Sequence, residues 1–179
     1  MKKHLFLLFL ITLISSCASI RLTGVYPISG VSKETTLNYE DVWNRVIDFF
    51  STLGIPITTL DKSSGLIVTS GFSFVNDYTR EERGKPLNEE AYVVIPTIRK
   101  GFGSIIEPNS TFPKTDWTIM GDFNVRVKID GQKTIVNVNV VNLKCFYSTP
   151  GIYGSGHTNH VPIKSTGVFE SFLLDYLTE

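Results

Sequence analysis

The sequence predicts an α+β fold: a two-layer sandwich in which an antiparallel sheet carries two helices packed on one face. Three observations predict it. The run from Asp116 to Ser148 alternates apolar and polar residues around an Asp-Gly turn; the segments 38–54 and 165–177 place their apolar residues at helical spacing; and shorter strand-like runs lie between them. A sheet with one greasy side needs an amphipathic cover, and two helices supply it.

The elements follow in order. Val31 to Leu37 reads as a short first strand. In "LNYEDVWNRVIDFFSTLG", Asn38 is a helix cap and Asp41 answers the free amides of the first turn. Tyr39, Val42, Trp43, Val46, Phe49, Phe50 and Leu53 form one face, and Gly54 is the C′ residue. "IPITTLDKSSGLIVTSGFSF" reads as two strands about a tight turn at Lys62 to Gly65, where Asp61 and the serines bond local amides. Asn76 to Glu90 is charged and apolar-poor, and reads as a solvated loop. Ala91 to Ile95 is a short strand, and Arg99 to Lys114 a second irregular stretch with Gly101, Gly103, Pro108 and Pro113. Two long loops suggest a surface that contacts something.

The hairpin comes next, turning at Asp130-Gly131. Trp117, Ile119, Phe123, Val125, Val127 and Ile129 share a face with Val136, Val138 and Val140. Thr118, Asp122, Asn124, Arg126, Lys128, Asn137 and Asn139 make the wet side. After Val140 the phase changes to Val141, Leu143 and Cys145, so a bulge is expected near Val140. "STPGIYGSGHTNHVPIKSTG" reads as a Gly-rich loop. The closing helix is capped by Ser165 or Thr166 and buries Val168, Phe169, Phe172, Leu173, Tyr176 and Leu177.

The amino terminus is of another kind. Lys2 and Lys3 precede an apolar run at 5–14, broken only by Thr12. That is too short for ~30 Å of hydrocarbon, which takes about 20 helical residues, and it suits a signal-peptide core. The run ends in Ile14-Ser15-Ser16-Cys17, which resembles the lipobox of bacterial lipoproteins. The resemblance implies cleavage before Cys17, diacylation of its sulfur and acylation of the new amino group. Stable anchoring takes more than one acyl chain. Ala18, in place of an aspartate, resembles the default for outer-membrane delivery. The expected organisation is a lipoprotein signal peptide at 1–16, a tether at 17–30 and a single α+β domain at 31–179.

Composition narrows the function classes. The whole chain has 17 bases and 17 acids; removing Lys2 and Lys3 leaves 15 against 17, a charge of about −2. That is neither a nucleic-acid signature nor a polybasic membrane patch. With Cys17 committed to lipid, Cys145 stands alone in a strand-like run and reads as a buried, inert thiol.

The stretch "YEDVWNRVIDFFSTLGIPITTLDKSSGLIVT" resembles the helix-grip domains of the BamC (NlpB-type) lipoproteins, through Trp43, Gly54, Asp61, Gly65 and Ile67. BamC has two such domains and a long unstructured front, whereas this chain has room for one. The resemblance implies a helix-grip fold and non-enzymatic accessory work in the envelope.

No chemistry-bearing motif rises above the background. His157-x-x-His160 lacks a third ligand at readable spacing. "GIYGSG" lacks the Lys-Ser/Thr of a phosphate loop. Asp61-Lys62-Ser63 is explained by turn chemistry, and Asp116 and Asp122 fall on one side by strand parity. The expectation is therefore no catalytic residue, no metal, no cofactor, and lipid attachment at Cys17. Membrane contact comes through the anchor, and the partners are other envelope proteins, bound by the two long loops or the wet sheet face. The alternative is a carrier of a small apolar ligand, in a cavity lined by Phe49, Phe50, Phe72, Phe123 and Phe172.

Overall fold

The alternating runs pair as one long antiparallel hairpin in the computed structural model, which describes residues 20–28, 30–99, 105–106, 116–149 and 156–179. In chain order the described elements are β1 (Val31–Thr35), α1 (Tyr39–Thr52), β2 (Ile57–Asp61), β3 (Leu66–Thr69), β4 (Phe72–Ser73), β5 (Tyr78–Glu82), β6 (Lys85–Pro86), β7 (Val93–Pro96), β8 (Ile98–Arg99), β9 (Ile105–Ile106), β10 (Asp116–Asp130), β11 (Lys133–Thr149), β12 (His157–His160), β13 (Lys164–Ser165) and α2 (Val168–Thr178). The main sheet runs β1-β11-β10-β3-β2, with β12 added to β11 and β4 to β10.

Register explains which side is buried. Phe123 faces Val140 and Val127 faces Val136, so the apolar sets of β10 and β11 fall on one side. Ile119, Phe123, Val125, Val127, Val136, Val138 and Val140 are buried. Trp117 is half-buried, and Ile129, at the hairpin tip, is 68% exposed. The bulge falls slightly later than the alternation suggests. Asp122 pairs with Val141 and Met120 with Lys144, so Asn142 and Leu143 together oppose Gly121. Asn142 takes a left-handed φ of 52°, and beyond it Cys145 and Tyr147 point inward.

Helix α1 forms as its spacing predicts. Asn38 Oδ1 accepts the Asp41 amide at 2.9 Å, and Val42, Trp43, Val46, Phe49 and Phe50 are buried. Each such side chain is worth about 1.5–3 kcal/mol when fully buried. Leu53 is exposed, since it follows the last turn. Helix α2 is rotated from its expected stripe: Phe169, Glu170, Leu173, Leu174 and Leu177 are buried, while Phe172 and Tyr176 are exposed. Its cap is Gly167, at φ 89°, and not Ser165 or Thr166. Those hydroxyls still accept amides at the start of the helix, Ser165 Oγ from the cap residue Gly167 at 3.0 Å and Thr166 Oγ1 from the first residue Val168 at 3.4 Å.

The expected two-layer α+β sandwich, with its helix-grip form, is not what the chain builds. Of the described residues, 49% are strand and 18% are helix, so this part of the protein is mostly β, and its helices are too few to make a layer equal to the sheets. The cause lies in residues 76–98. The stretch expected to be a solvated loop forms β5 and β6, which join β7 and β13 in a separate four-stranded sheet of order β13-β7-β5-β6. Strands β5 and β7 run parallel, Tyr78 opposite Val93 and Arg80 opposite Ile95. Strand β7 is buried throughout. A third pairing, β8 with β9, lies in the stretch expected to be irregular. His157–His160 is an antiparallel edge strand on β11, where a loop was expected.

The turn at Lys62 to Gly65 forms as expected. Asp61 Oδ1 accepts the Ser63 amide at 3.0 Å, and Asp61 Oδ2 accepts the Ser64 hydroxyl at 2.7 Å. Hydrogen bonds from Ser63, then Ser64, hold this exposed carboxyl down at a pKa of about 2. Gly65 sits at φ 71°, and a Cβ there would meet the Val127 carbonyl oxygen. Gly65→Ala is therefore expected to destabilise by more than about 1 kcal/mol. Gly54→Ala, also at positive φ (66°) but with nothing within 4 Å of the new carbon, should lose less. Urea midpoints of the two variants check this ordering.

Candidate interaction surface

Residues 20–28, within the expected tether, are engaged by the second sheet. Strand β5 alternates so that Thr79 and Glu81 point inward. A buried carboxylate must be hydrogen-bonded to be tolerated. Glu81 meets that demand across 55 or more residues of chain. Its Oε1 accepts the Thr23 amide at 2.8 Å and the Thr23 hydroxyl at 2.6 Å. Its Oε2 accepts the Gly24 amide at 2.9 Å and the Tyr26 hydroxyl at 2.8 Å. Burial works to raise the Glu81 pKa, but the bonds from Thr23, Gly24 and Tyr26 outweigh it, and the net shift is downward. Tyr26, itself buried, is pushed up by burial and then by its bond to this carboxylate.

The β5–β6 turn completes the clamp. Arg83 and Gly84 both take positive φ, 52° and 80°, as a two-residue type I′ hairpin requires. Gly84 packs against Gly24, where a Cβ on Gly24 would meet the Gly84 carbonyl oxygen. This site was missed in the sequence because its inward residues are polar. The one local hint is the turn-forming Arg83-Gly84 inside "YTREERGKP".

The polar side of the main sheet is the other candidate surface. Asp122 is fixed there, accepting the Gly71 amide at 2.9 Å and the Asn142 side-chain amide at 2.8 Å. It thereby ties the β11 bulge to the β3–β4 turn. Asn124 faces Asn139 across β10 and β11, and Arg126 faces Asn137. The Asn137 side-chain amide donates to Ser32 Oγ at 2.8 Å. Asn124 Oδ1 is buried and has no hydrogen-bond partner among the described residues.

The remaining sequence candidates fall as follows. Cys17 lies outside the described residues, as do 100–104, 107–115 and 150–155, so most of the second expected loop and the GIYGSG stretch receive no structural account. His157 and His160 are exposed at the two ends of β12. Among the described residues, no three His, Cys, Asp or Glu side chains are grouped to hold a metal ion. Asp116 is exposed at the far end of β10, and Asp122 is engaged as above. Among the described residues, no helix is long and apolar enough to cross a membrane.

Cys145 is buried, and burial pushes its thiol up to about 12. The folded protein is expected to leave this thiol unlabelled by iodoacetamide at pH 8, with full labelling in denaturant. Mass spectrometry of the Cys145 peptide reads both states.

The aromatic residues pack on one another. Phe123 stacks on Phe169 at 4.2 Å between ring centres and on Phe50 at 5.6 Å. Phe72 lies 5.2 Å from Phe123 and 4.8 Å from Phe74. Recesses lie elsewhere. One of about 410 Å³ is lined by Tyr39, the 62–65 turn and Val127 to Ile129. Another, of about 270 Å³, lies where Pro27 and Ile28 meet β11, Ser165 and Glu170.

Compared with known proteins, the chain matches no family model and no curated sequence. The likeness to bacterial lipoproteins therefore rests on the quoted residues alone.

Proposed function

We propose that this chain is a non-enzymatic lipoprotein of the bacterial cell envelope, anchored through Cys17 and delivered to the outer membrane. Its folded body binds other envelope proteins in an interaction or assembly-accessory role, through the polar side of the main sheet. The lipobox at Ile14-Ser15-Ser16-Cys17 supports the anchoring. One observation carries the choice of surface: on that side Arg126 and Lys128 are exposed and Asn137 and Asn139 half-buried, so polar groups on neighbouring strands stand within reach of a partner. The helix-grip fold implied by the BamC resemblance is not part of the proposal.

The aromatic packing supports this reading over an apolar carrier. A carrier needs space where Phe50, Phe72, Phe123 and Phe169 touch one another. In-cell photocrosslinking tests the choice of surface. A benzophenone residue at Arg126 is expected to capture an envelope protein, and one at Phe172 on α2 is not. Recovery of the Arg126 probe only as free monomer, from protein shown by mass to carry acyl chains, would count against the proposal.

A further inference from the structure

The Glu81 clamp has a place along the chain that bears on how the protein sits on its membrane. Thr23 follows Cys17 by six residues, a reach of at most about 20–22 Å when fully extended. The clamp holds Thr23 and Gly24 to Glu81 through three hydrogen bonds, and Tyr26 adds a fourth. The length of free chain is therefore set by the clamp at Thr23 and not by the first strand at Val31.

We infer that Glu81 moors the folded body close to the lipid, with the β5–β6 turn and residues 20–28 lying against the headgroups and the 130–133 hairpin tip directed away. The inference rests on acylation of Cys17, the reading given above.

Two further observations fit a lipid surface. Within 20–28 and 80–87, Arg21, Arg83 and Lys85 are exposed against the exposed Glu82, and the exposed Glu89 and Glu90 follow just beyond. Apolar side chains stand out among them: Val25 is 100% exposed and Ile28 is 95% exposed. Cations over anionic headgroups, with apolar side chains between, are what an interfacial contact uses.

The far end is defined by register. Val31 sits opposite Val138, five residues along β11 from its start at Lys133, or about 16 Å at 3.3 Å per residue. Pro27 and Ile28 lie beside Asn139 to Leu143, farther still from the hairpin tip. The 62–65 turn lies at the tip end, since the Gly65 carbonyl accepts the Val127 amide at 2.8 Å.

The test uses the full chain, processed in cells and reconstituted into vesicles of phosphatidylethanolamine and phosphatidylglycerol. A fraction of the lipid carries a headgroup diazirine, and crosslinked peptides are mapped by mass. Crosslinks are expected to concentrate several-fold on 20–28 and 80–87 over 62–65 and 130–133. A Gly-Ser spacer of about 20 residues inserted after Ala18 adds about 25 Å of r.m.s. reach. It leaves the clamp and the fold untouched and should abolish that concentration. Acylated protein with crosslinks spread evenly, or a pattern unchanged by the spacer, overturns the mooring while leaving the lipoprotein reading standing. A Cys17 peptide without acyl mass overturns both.

Discussion

Phe123→Ala is expected to cost about 3–5 kcal/mol of folding stability, the range for removing a fully buried aromatic side chain. Phe123 has no exposed surface and is the ring on which the others converge. It stacks with Phe169 of α2 and Phe50 of α1, and Phe72 and Phe74 meet it at 5.2 and 5.9 Å. Truncation removes these contacts together and leaves a void that neighbours on three different elements cannot all fill. Phe172→Ala is the matched control. The helical stripe read from sequence buries Phe172, but the ring is 50% exposed. Its loss should stay below about 1 kcal/mol, as for a surface substitution. Urea unfolding of both variants measures the difference; equal losses would contradict the rotation of α2.

Glu81→Ala is the second large effect. It leaves the amides of Thr23 and Gly24 and the buried Tyr26 hydroxyl without their acceptor. A hydrogen bond to a charged group is worth about 1.5–3 kcal/mol, so at least one such increment should be lost at pH 7. Residues 20–28 should become open to proteolysis ahead of the rest, because these bonds anchor them to the second sheet. Glu81→Gln keeps the shape and one acceptor oxygen, and should fall between the two.

The pH dependence has a definite sign. The folded Glu81 pKa lies below its unfolded value. The carboxylate therefore adds stability at pH values above the unfolded pKa, 4.5, and that contribution fades as pH falls through the lower, folded value. The gap in stability between wild type and Glu81→Ala should be full at pH 6–7 and narrow on acidification below about pH 4. Paired denaturant titrations across that window measure it, and a constant gap would show that the bonds do not depend on the charge.

Much of the framework was legible because its signals are local. The α1 face is a 3.6-residue pattern with its own cap at Asn38. The 62–65 turn is built by Asp61, Ser63 and Ser64 bonding their neighbours. The β10–β11 pair follows from alternation about Asp130-Gly131. In each case the residues that specify the element lie within it. Where the reading slipped by a few residues, as at the bulge or the α2 stripe, packing chose between nearly equivalent local options. Val168, Phe172 and Tyr176 are as apolar as the side chains that α2 does bury, and only the position of Phe123 and its neighbours selects the face.

The sequence alone therefore determined the first helix and the long hairpin, since each is written in adjacent residues. Only the tertiary structure decided that the fold is mostly β and that the charged stretch around Glu81 is a strand. The physical reason is the same for both. Strand β5 turns a threonine and a glutamate inward, so it shows no apolar alternation, and what makes that burial tolerable is a set of hydrogen bonds from Thr23, Gly24 and Tyr26, far away along the chain.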